Sequence, residues 1–270
     1  MFAKNSSFPV RLFSFLMILI LLFGSGGVTP AHAGPGGGGA DYYVKPGGGG
    51  DCSTWAQACD LQTALGLASS GQTIWVAAGL YKPTASTSDR SATFQLRTSV
   101  PVYGGFNGTE TSFDQRDPLT NVTILSGDID NNDSQTPIIT DPFTVTGNAT
   151  NSYHVVTGAN TILDGFTITA GSAMPTSACP GGCGGGIYIP SGAHLILQNS
   201  TVSGNIARYG GGIYSASNPE LINVFVGNNV AFAGGGMYND GTAVTSDDAA
   251  LTNVTFSGNW AEQDGGGMVT

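Results

Sequence analysis

The sequence predicts an all-β solenoid, in which short strands form coils that stack on one another. The main observation is a repeat: residues 195–215, 219–239 and 249–269 align, and each copy includes a glycine triplet near its end. A period in the twenties with several short strands per period is typical of solenoids. The repeated leucines of leucine-rich repeats are missing from these copies, so β coils of about 24 residues fit the pattern better.

Two asparagine positions recur in register in the three copies. They are Asn199, Asn223 and Asn253 at the first position, and Asn205, Asn229 and Asn259 at the second. An asparagine at the same corner of each coil can hydrogen-bond to the next one, which predicts side-chain ladders between coils. Leu195, Leu197 and Leu221 are expected to point into the core. Residues 163–171 form a fainter, earlier copy.

The glycine triplet at 210–212, with copies at 184–186, 234–236 and 265–267, has two interpretations. A phosphate-binding loop requires a lysine and a hydroxyl residue after its glycines, but Ile213 follows here. A structural corner requires glycine for a positive φ and for close approach between coils. Recurrence once per coil favours the corner.

For the part of the chain before the repeats, the sequence predicts one helix followed by irregular strands. Thr54 and Gln57 match a capping box, and apolar residues at helical spacing extend to Ala68, which predicts a single helix. Short β-rich segments bounded by turn residues lie at 73–79, 92–97, 100–106 and 121–127.

Residues 1–33 have the pattern of a secretory signal peptide. Lys4 and Arg11 give a positive N-terminal region, residues 12–23 are almost entirely apolar, and Ala31-His32-Ala33 matches a cleavage site. The apolar run is shorter than the roughly 20 residues that span a bilayer. We therefore expect an exported protein, extracellular or associated with the cell surface or outer membrane, with no transmembrane segment in the mature chain. A retained N-terminal anchor is the alternative.

The expected mature chain is acidic. The whole chain has 8 basic and 18 acidic residues, and loss of the leader removes two of the basic ones, which leaves 6 − 18 = −12. A surface this acidic disfavours nucleic acid and anionic lipid as partners. Few charges, with many polar and β-branched residues, are typical of an extracellular all-β protein. Asp114, Arg116 and Asp117 are expected to form a structural ion-pair cluster.

Four cysteines fit an oxidising compartment. Cys52 and Cys59 are close in sequence, as are Cys179 and Cys183, so two local disulfides are the simplest expectation. Four cysteines allow three pairings, and free thiols or a zinc site are alternatives. Only the second pair has a zinc-like spacing, and the histidine near it is His194.

The acidic stretch GDIDNND at 127–133 is a candidate calcium site. Asp128, Asp130 and Asn132 occupy alternate positions and Asp133 follows, a spacing of oxygen ligands that suits calcium. The glycine and distal glutamate of an EF-hand loop are missing, and solvated turn residues are the competing interpretation. No other cofactor is predicted.

The sequence predicts no catalytic residues. A glycosidase needs two carboxylates at a fixed separation, but the equivalent position in the three copies holds Arg208, Phe232 and Glu262. His154 and His194 are isolated from each other, and neither has a recognisable nucleophile as a partner.

The repeats resemble those of pectin-lyase-like right-handed parallel β-helices, and among these they are most similar to surface proteins of the polymorphic outer-membrane protein type. That family repeats two short motifs, first GGA-[I/L/V] and second F-x-x-N. Residues 256–259, FSGN, match the second, while Val202 and Val226 stand where phenylalanine would. Gly186-Ile187 and Gly212-Ile213 match the end of the GGA-[I/L/V] motif, with glycine in place of its alanine. The resemblance implies a right-handed parallel β-helix.

Residues 41–128 resemble the N-terminal part of predicted secreted bacterial β-helix proteins, many of which carry a C-terminal surface anchor of the choice-of-anchor group. This resemblance implies a helix that caps the N-terminal end of the solenoid, for which 55–68 is the candidate. The expected divisions are a signal peptide (1–33), a flexible glycine-rich lead-in (34–50), the cap and first irregular coils (51–160) and regular repeats (161–270). Only three residues follow the last glycine triplet, so the last coil is expected to be incomplete and the chain truncated.

The leading functional hypothesis is a non-enzymatic adhesion or scaffold role, with carbohydrate or a host or cell-surface protein as the partner. Two alternatives stay open. One is a polysaccharide lyase or glycoside hydrolase of the pectin-lyase fold whose site is partly missing. The other is a calcium-dependent binding module that uses the acidic stretch.

Overall fold

The computed structural model describes residues 39–174, 179, 181–240 and 249–270. The described chain is mostly β, with 36% of it in strands and 7% in helices, and the sheets are parallel. None of the helices in these ranges is long and apolar enough to cross a membrane. The predicted signal peptide (1–33) lies outside the described residues, and so does the segment 242–248, which the sequence alignment indicates is an insertion before the third repeat copy.

Four parallel sheets make up the fold. Sheet 1 contains, in spatial order, β1 (Tyr42–Val44), β2 (Ile74–Ala77), β5 (Val102–Phe106), β8 (Thr161–Asp164), β12 (Leu195–Gln198), β16 (Glu220–Ile222) and β20 (Ala250–Thr252). Sheet 2 contains β3 (Gly79–Tyr81), β6 (Thr123–Ser126), β9 (Phe166–Thr169), β13 (Thr201–Ser203), β17 (Phe225–Gly227) and β21 (Thr255–Ser257). Sheet 3 contains β10 (Ser172–Ala173), β14 (Ile206–Tyr209), β18 (Val230–Ala233) and β22 (Trp260–Asp264). Sheet 4 contains β4 (Phe94–Gln95), β7 (Val156–Thr157), β11 (Ile187–Ile189), β15 (Ile213–Ser215), β19 (Met237–Asn239) and β23 (Met268–Val269).

From β2 onward, consecutive strands of the chain belong to different sheets. Strands β12 to β15 lie in sheets 1, 2, 3 and 4 in turn, and β16 returns to sheet 1 beside β12. The pairing register follows the sequence repeat, because Leu197 lies opposite Leu221 and Leu221 opposite Leu251. The alignment predicted from the three copies is therefore the strand register.

The core lies between the sheets and consists of inward side chains that repeat from coil to coil. Leu195, Leu197 and Leu221 are buried, as predicted. Val202 and Val226 pair in register in sheet 2 and are fully buried in the same apolar cluster. Complete burial of a side chain of this size contributes about 1.5–3 kcal/mol relative to exposure, and stacking achieves this burial for each coil.

The asparagines form two ladders. In the inner ladder, the Asn205 Nδ2 atom donates to Asn229 Oδ1 and the Asn229 Nδ2 atom donates to Asn259 Oδ1, each at 3.0 Å. The backbone N–H groups of Asn205 and Asn229 donate to the same two oxygens. In the outer ladder, Asn223 Nδ2 donates to Asn199 Oδ1 at 3.2 Å, and Asn253 Nδ2 donates to Asn223 Oδ1 at 2.8 Å. Both predicted ladders are confirmed.

The first and last glycines of the triplet at 210–212 have distinct roles at the corner. Gly210 has a φ of +64°, which favours glycine over residues with a side chain. Gly212 has no such φ, but a Cβ atom there would lie 2.6 Å from the Gly236 carbonyl oxygen and 2.9 Å from Asn229 Nδ2. The backbone N–H of Gly212 donates to the Gly235 carbonyl in the next coil. The triplet is therefore a corner, as predicted, that also packs against the inner ladder.

The prediction of one continuous helix from Thr54 to Ala68 is wrong. A short 3₁₀ helix, η1 (Trp55–Gln57), ends at Ala58, where the backbone becomes extended. The α-helix α1 (Leu61–Leu67) then begins at a new N-cap, Asp60, whose side chain accepts from Thr63 N–H at 2.9 Å. The Cys52–Cys59 disulfide and the pairing of Cys59 N–H with the Tyr43 carbonyl hold the intervening segment in an extended conformation.

Helix α1 packs against β1, β2 and β4. Strands β1 and β4 are edge strands of sheets 1 and 4, so the helix contacts the end of the described sheets where those edges lie. The predicted lead-in at 34–50 is not wholly flexible, because its residues Tyr42–Val44 form β1 and pair with β2. Val44 is fully buried there and anchors the segment.

Candidate functional site

The acidic stretch lies at the start of a long connection that we call the strap, residues 127–153. The chain leaves sheet 2 at the end of β6 and enters sheet 4 at β7 without forming a strand of sheet 3 between them. The strap packs beside the edge of sheet 3 instead, where Ser172 N–H in β10 donates to the Ser152 carbonyl at 2.8 Å. Further along, Ile139 and Val145 pack on Ala170.

Asp128, one of the four predicted calcium ligands, is buried and has partners within the protein. Its Oδ2 atom lies 3.8 Å from Lys82 Nζ, and its Oδ1 atom accepts from Asn132 N–H at 3.2 Å. Lys82 Nζ also donates to Asn131 Oδ1 at 2.6 Å. The lysine therefore ties β3 and its following turn to the acidic stretch and compensates the charge of Asp128.

The other predicted ligands face the second end of the strap. Asn132 Nδ2 donates to Asp130 Oδ2 at 2.8 Å and to Thr150 Oγ1 at 2.9 Å. Asp133 Oδ2 accepts from Asn151 Nδ2 at 2.8 Å. The structure thus brings Asp130 and Asp133 close to residues 150–151. No motif in the sequence links these residues to the acidic stretch, because 18 positions separate the hydrogen-bonded partners.

Asp133 is the most perturbed carboxyl group of this cluster. Burial raises its pKa to about 6, and the negative charges of Asp128 and Asp130 add to that rise. The hydrogen bond from Asn151 and the positive charge of Lys82 oppose it. Near neutral pH the cluster therefore carries a desolvated carboxylate whose charge is only partly compensated.

No three carboxylate, imidazole or thiol groups in the described ranges are arranged as a ready metal site. A cation at the acidic stretch would therefore need amide, hydroxyl or water oxygens beside its carboxylates, which calcium accepts. The calcium site at Asp128, Asp130, Asn132 and Asp133 stays a prediction.

The two histidines in the described part of the chain have structural partners. His154 Nδ1 lies 3.0 Å from the Gly184 carbonyl oxygen, and its ring stacks on Tyr188 with centroids 5.2 Å apart. Burial lowers the pKa of His154. His194 Nδ1 lies 2.7 Å from the Asn218 carbonyl oxygen. Neither arrangement is that of a general base beside a nucleophile.

The expected ion-pair cluster of Asp114, Arg116 and Asp117 is wrong. Arg116 instead forms a buried ion pair with Asp164 at the end of β8, and its guanidinium lies 5.0 Å from the ring centroid of Phe113. Asp117 caps its own turn by accepting from the N–H and hydroxyl of Thr120. The sequence missed the pair because its members are 48 residues apart.

All four cysteines form the two local disulfides, Cys52–Cys59 and Cys179–Cys183. The first fixes the turn before α1. The second lies in the connection between β10 and β11.

An exposed aromatic pair lies where the strap meets sheet 3. Phe143 in the strap is 65% exposed and Trp260 in β22 is 44% exposed. Their ring centroids are 5.4 Å apart in an edge-to-face arrangement. Beside Trp260 in the outward column of sheet 3 lie the half-buried residues Val230 and Ile206. Clustered exposed apolar side chains of this kind often mark a binding surface.

No protein-family model, curated protein or solved structure matches the chain.

Proposed function

We propose that this chain is an exported right-handed parallel β-helix of the pectin-lyase kind that serves as a non-enzymatic scaffold in adhesion. The observation that supports this most is the cyclic order of the four parallel sheets, with inward residues that repeat from coil to coil. Outward positions differ between coils: Arg208, Phe232 and Glu262 each follow one of three paired alanines. A repeated core with variable outward residues suits a scaffold better than a single catalytic centre.

The partner that we propose is a neutral carbohydrate. Phe143 and Trp260 offer exposed aromatic rings, whose faces attract the C–H groups of sugar rings. The acidic balance of the chain disfavours anionic polymers.

Two assays test the proposal, the first on residues 34–270 and the second on the full chain. In the first, the protein is incubated with a panel of polysaccharides, and we expect retention on a neutral polysaccharide without release of reducing or unsaturated sugar ends. Trp260→Ser should weaken retention, whereas Leu119→Ser, at a site 67% exposed and therefore tolerant, should not. Release of new sugar ends would favour the polysaccharide lyase or hydrolase alternative, and absence of retention would contradict the carbohydrate partner.

In the second assay, the full chain is expressed in a bacterial host and the exported product is sequenced from its N-terminus. We expect the mature protein to begin at Gly34, after the predicted cleavage site. A product that retains the first 33 residues would contradict the signal peptide and favour an N-terminal anchor.

A further inference from the structure

The strap contains an unusual concentration of buried oxygen atoms without hydrogen-bond partners. Nine buried side-chain nitrogen or oxygen atoms in the described ranges have none, and four of the nine are strap oxygens. These four are Asp130 Oδ1, Asp133 Oδ1, Asn151 Oδ1 and Ser152 Oγ. Because buried polar groups are normally paired, such a group of acceptors indicates a missing donor or cation.

Orientation of the Asn151 amide does not account for its unpaired oxygen. Its Nδ2 atom donates to Asp133 Oδ2 at 2.8 Å, and a flipped amide would place an oxygen against that carboxylate. Asn151 is fully buried and Asp133 is 7% exposed, so bulk water does not satisfy either oxygen. The amide and carboxylate therefore present acceptors in one shielded place.

The charges of the cluster point to a divalent cation. Asp128, Asp130 and Asp133 carry three negative charges and Lys82 carries one positive charge, which leaves 1 − 3 = −2. Arg90 also contacts this part of the strap, but its guanidinium donates to the Asn151 and Ser172 carbonyls rather than to a carboxylate. Two negative charges therefore lack a counter-charge.

We propose that the strap binds one calcium ion through Asp130, Asp133 and Asn151, with the Ser152 hydroxyl as a further oxygen donor. Calcium prefers carboxylate, amide and water oxygens in a flexible shell. This ligand set differs from the one that the sequence predicts, because Asp128 already pairs with Lys82 and Asn132 donates to Asp130. The site does not depend on the scaffold role proposed above.

The consequence of binding would be to fasten the strap to the edge of sheet 3. Ser152 N–H donates to the Gly127 carbonyl, and its own carbonyl accepts from Ser172 in β10. An ion between the acidic stretch and residues 151–152 therefore joins both ends of the strap beside that edge strand. In this role calcium would be a structural clamp rather than a catalyst.

The test is calorimetric titration of chelator-treated residues 34–270 with calcium chloride, and in parallel with magnesium chloride. We expect one calcium site and weaker or absent magnesium binding. Asp130→Asn and Asp133→Asn should each weaken calcium binding at least tenfold. Asp141→Asn, which changes another strap aspartate whose carboxylate accepts from Phe143 N–H, should change it less than twofold.

Thermal melts with calcium and with chelator keep the proposal falsifiable if a variant loses affinity by misfolding. Saturating calcium should raise the melting temperature of the parent protein, because an ion that binds only the folded state stabilises it. Asp133→Asn should melt cooperatively with chelator, and calcium should raise its melting temperature much less. No binding heat, a melting temperature unchanged by calcium, preferential magnesium binding, or full calcium affinity in both aspartate variants would each overturn the proposal.

Discussion

The repeated coils after residue 161 and the first coils, residues 39–160, are stabilised in different ways. The repeated coils rely on uncharged ladders of identical residues, such as the inner asparagines and the glycine corners. The first coils rely on contacts that occur once. Examples are the stacked rings of Trp75 and Phe106, with centroids 4.5 Å apart, and the ion pair of Lys82 and Asp128.

This difference shows what a repeat adds to a parallel fold. In the later coils each residue contacts its own equivalent one period away, so one favourable contact is used several times. In the first coils the chain inserts the strap in place of a sheet 3 strand and must satisfy its polar groups individually. The buried oxygens without partners accumulate in that insertion.

The largest effect is expected from Gly212→Ala in a repeated corner. The new methyl group would collide with the Gly236 carbonyl and with Asn229, and neither is at the end of a flexible side chain free to move away. We expect a loss of about 3–5 kcal/mol in the free energy of unfolding, measured by urea denaturation. Gly49→Ala in the first coils, where a Cβ meets nothing within 4 Å, should change it by less than about 0.5 kcal/mol. Equal losses from the two changes would contradict the claim that close packing at the repeated corners stabilises the later coils.

A smaller loss is expected from Asn229→Ala in the inner ladder. This change leaves the buried Asn205 N–H without its acceptor and removes the side-chain hydrogen bonds to the Val202 carbonyl and to Asn259 Oδ1. Asn259 Oδ1 keeps the hydrogen bond from the backbone N–H of residue 229. A buried donor without a partner costs about 1–3 kcal/mol and each lost hydrogen bond about 0.5–1.5 kcal/mol, so we expect a loss of about 2–4 kcal/mol by urea denaturation after relaxation.

The outer ladder provides the matched control. Asn223→Gly removes two exposed hydrogen bonds, one to Asn199 and one from Asn253, while keeping a residue that adopts its φ of 55°. We expect a loss of no more than about 1 kcal/mol. A loss as large as that of Asn229→Ala would mean that burial does not distinguish the two ladders.

The smallest effect, and one of opposite sign, is expected from Gly66→Ala in α1. A Cβ at this helical glycine meets no atom within 4 Å. Alanine is the better helix former, so we expect a gain of about 0.5–1 kcal/mol, seen as a higher urea midpoint. A destabilised variant would mean that the helix packs more tightly than its contacts show.

Periodicity explains which features of the fold could be predicted. The register of Leu197 with Leu221 and both asparagine ladders follow from aligning the sequence with itself. The break between η1 and α1 does not, because a disulfide and a backbone pairing at Cys59 override helical spacing. The pairing of Arg116 with Asp164 depends on which coil lies next to which, and no repeat marks that position.

Only part of the candidate site could be predicted from the sequence. Asp130 and Asp133 could be found because oxygen-bearing residues alternate in the acidic stretch. Asn151 and Ser152 belong to a polar segment with no pattern of its own, and only the folding of the strap brings them to the acidic stretch. Local spacing therefore identifies ligands on one segment, while partners from another segment require the fold.

Hydrogen exchange followed by mass spectrometry, with calcium and with chelator, tests the contrast between the coils and the strap most directly. We expect peptides from β12 to β19 to exchange slowly in both conditions, because ladders stabilise them without an ion. Peptides from the strap, residues 127–153, and from β10 should exchange quickly with chelator and slowly with calcium. Strap exchange that is equally slow in both conditions, or coils that exchange as fast as the strap, would contradict this account.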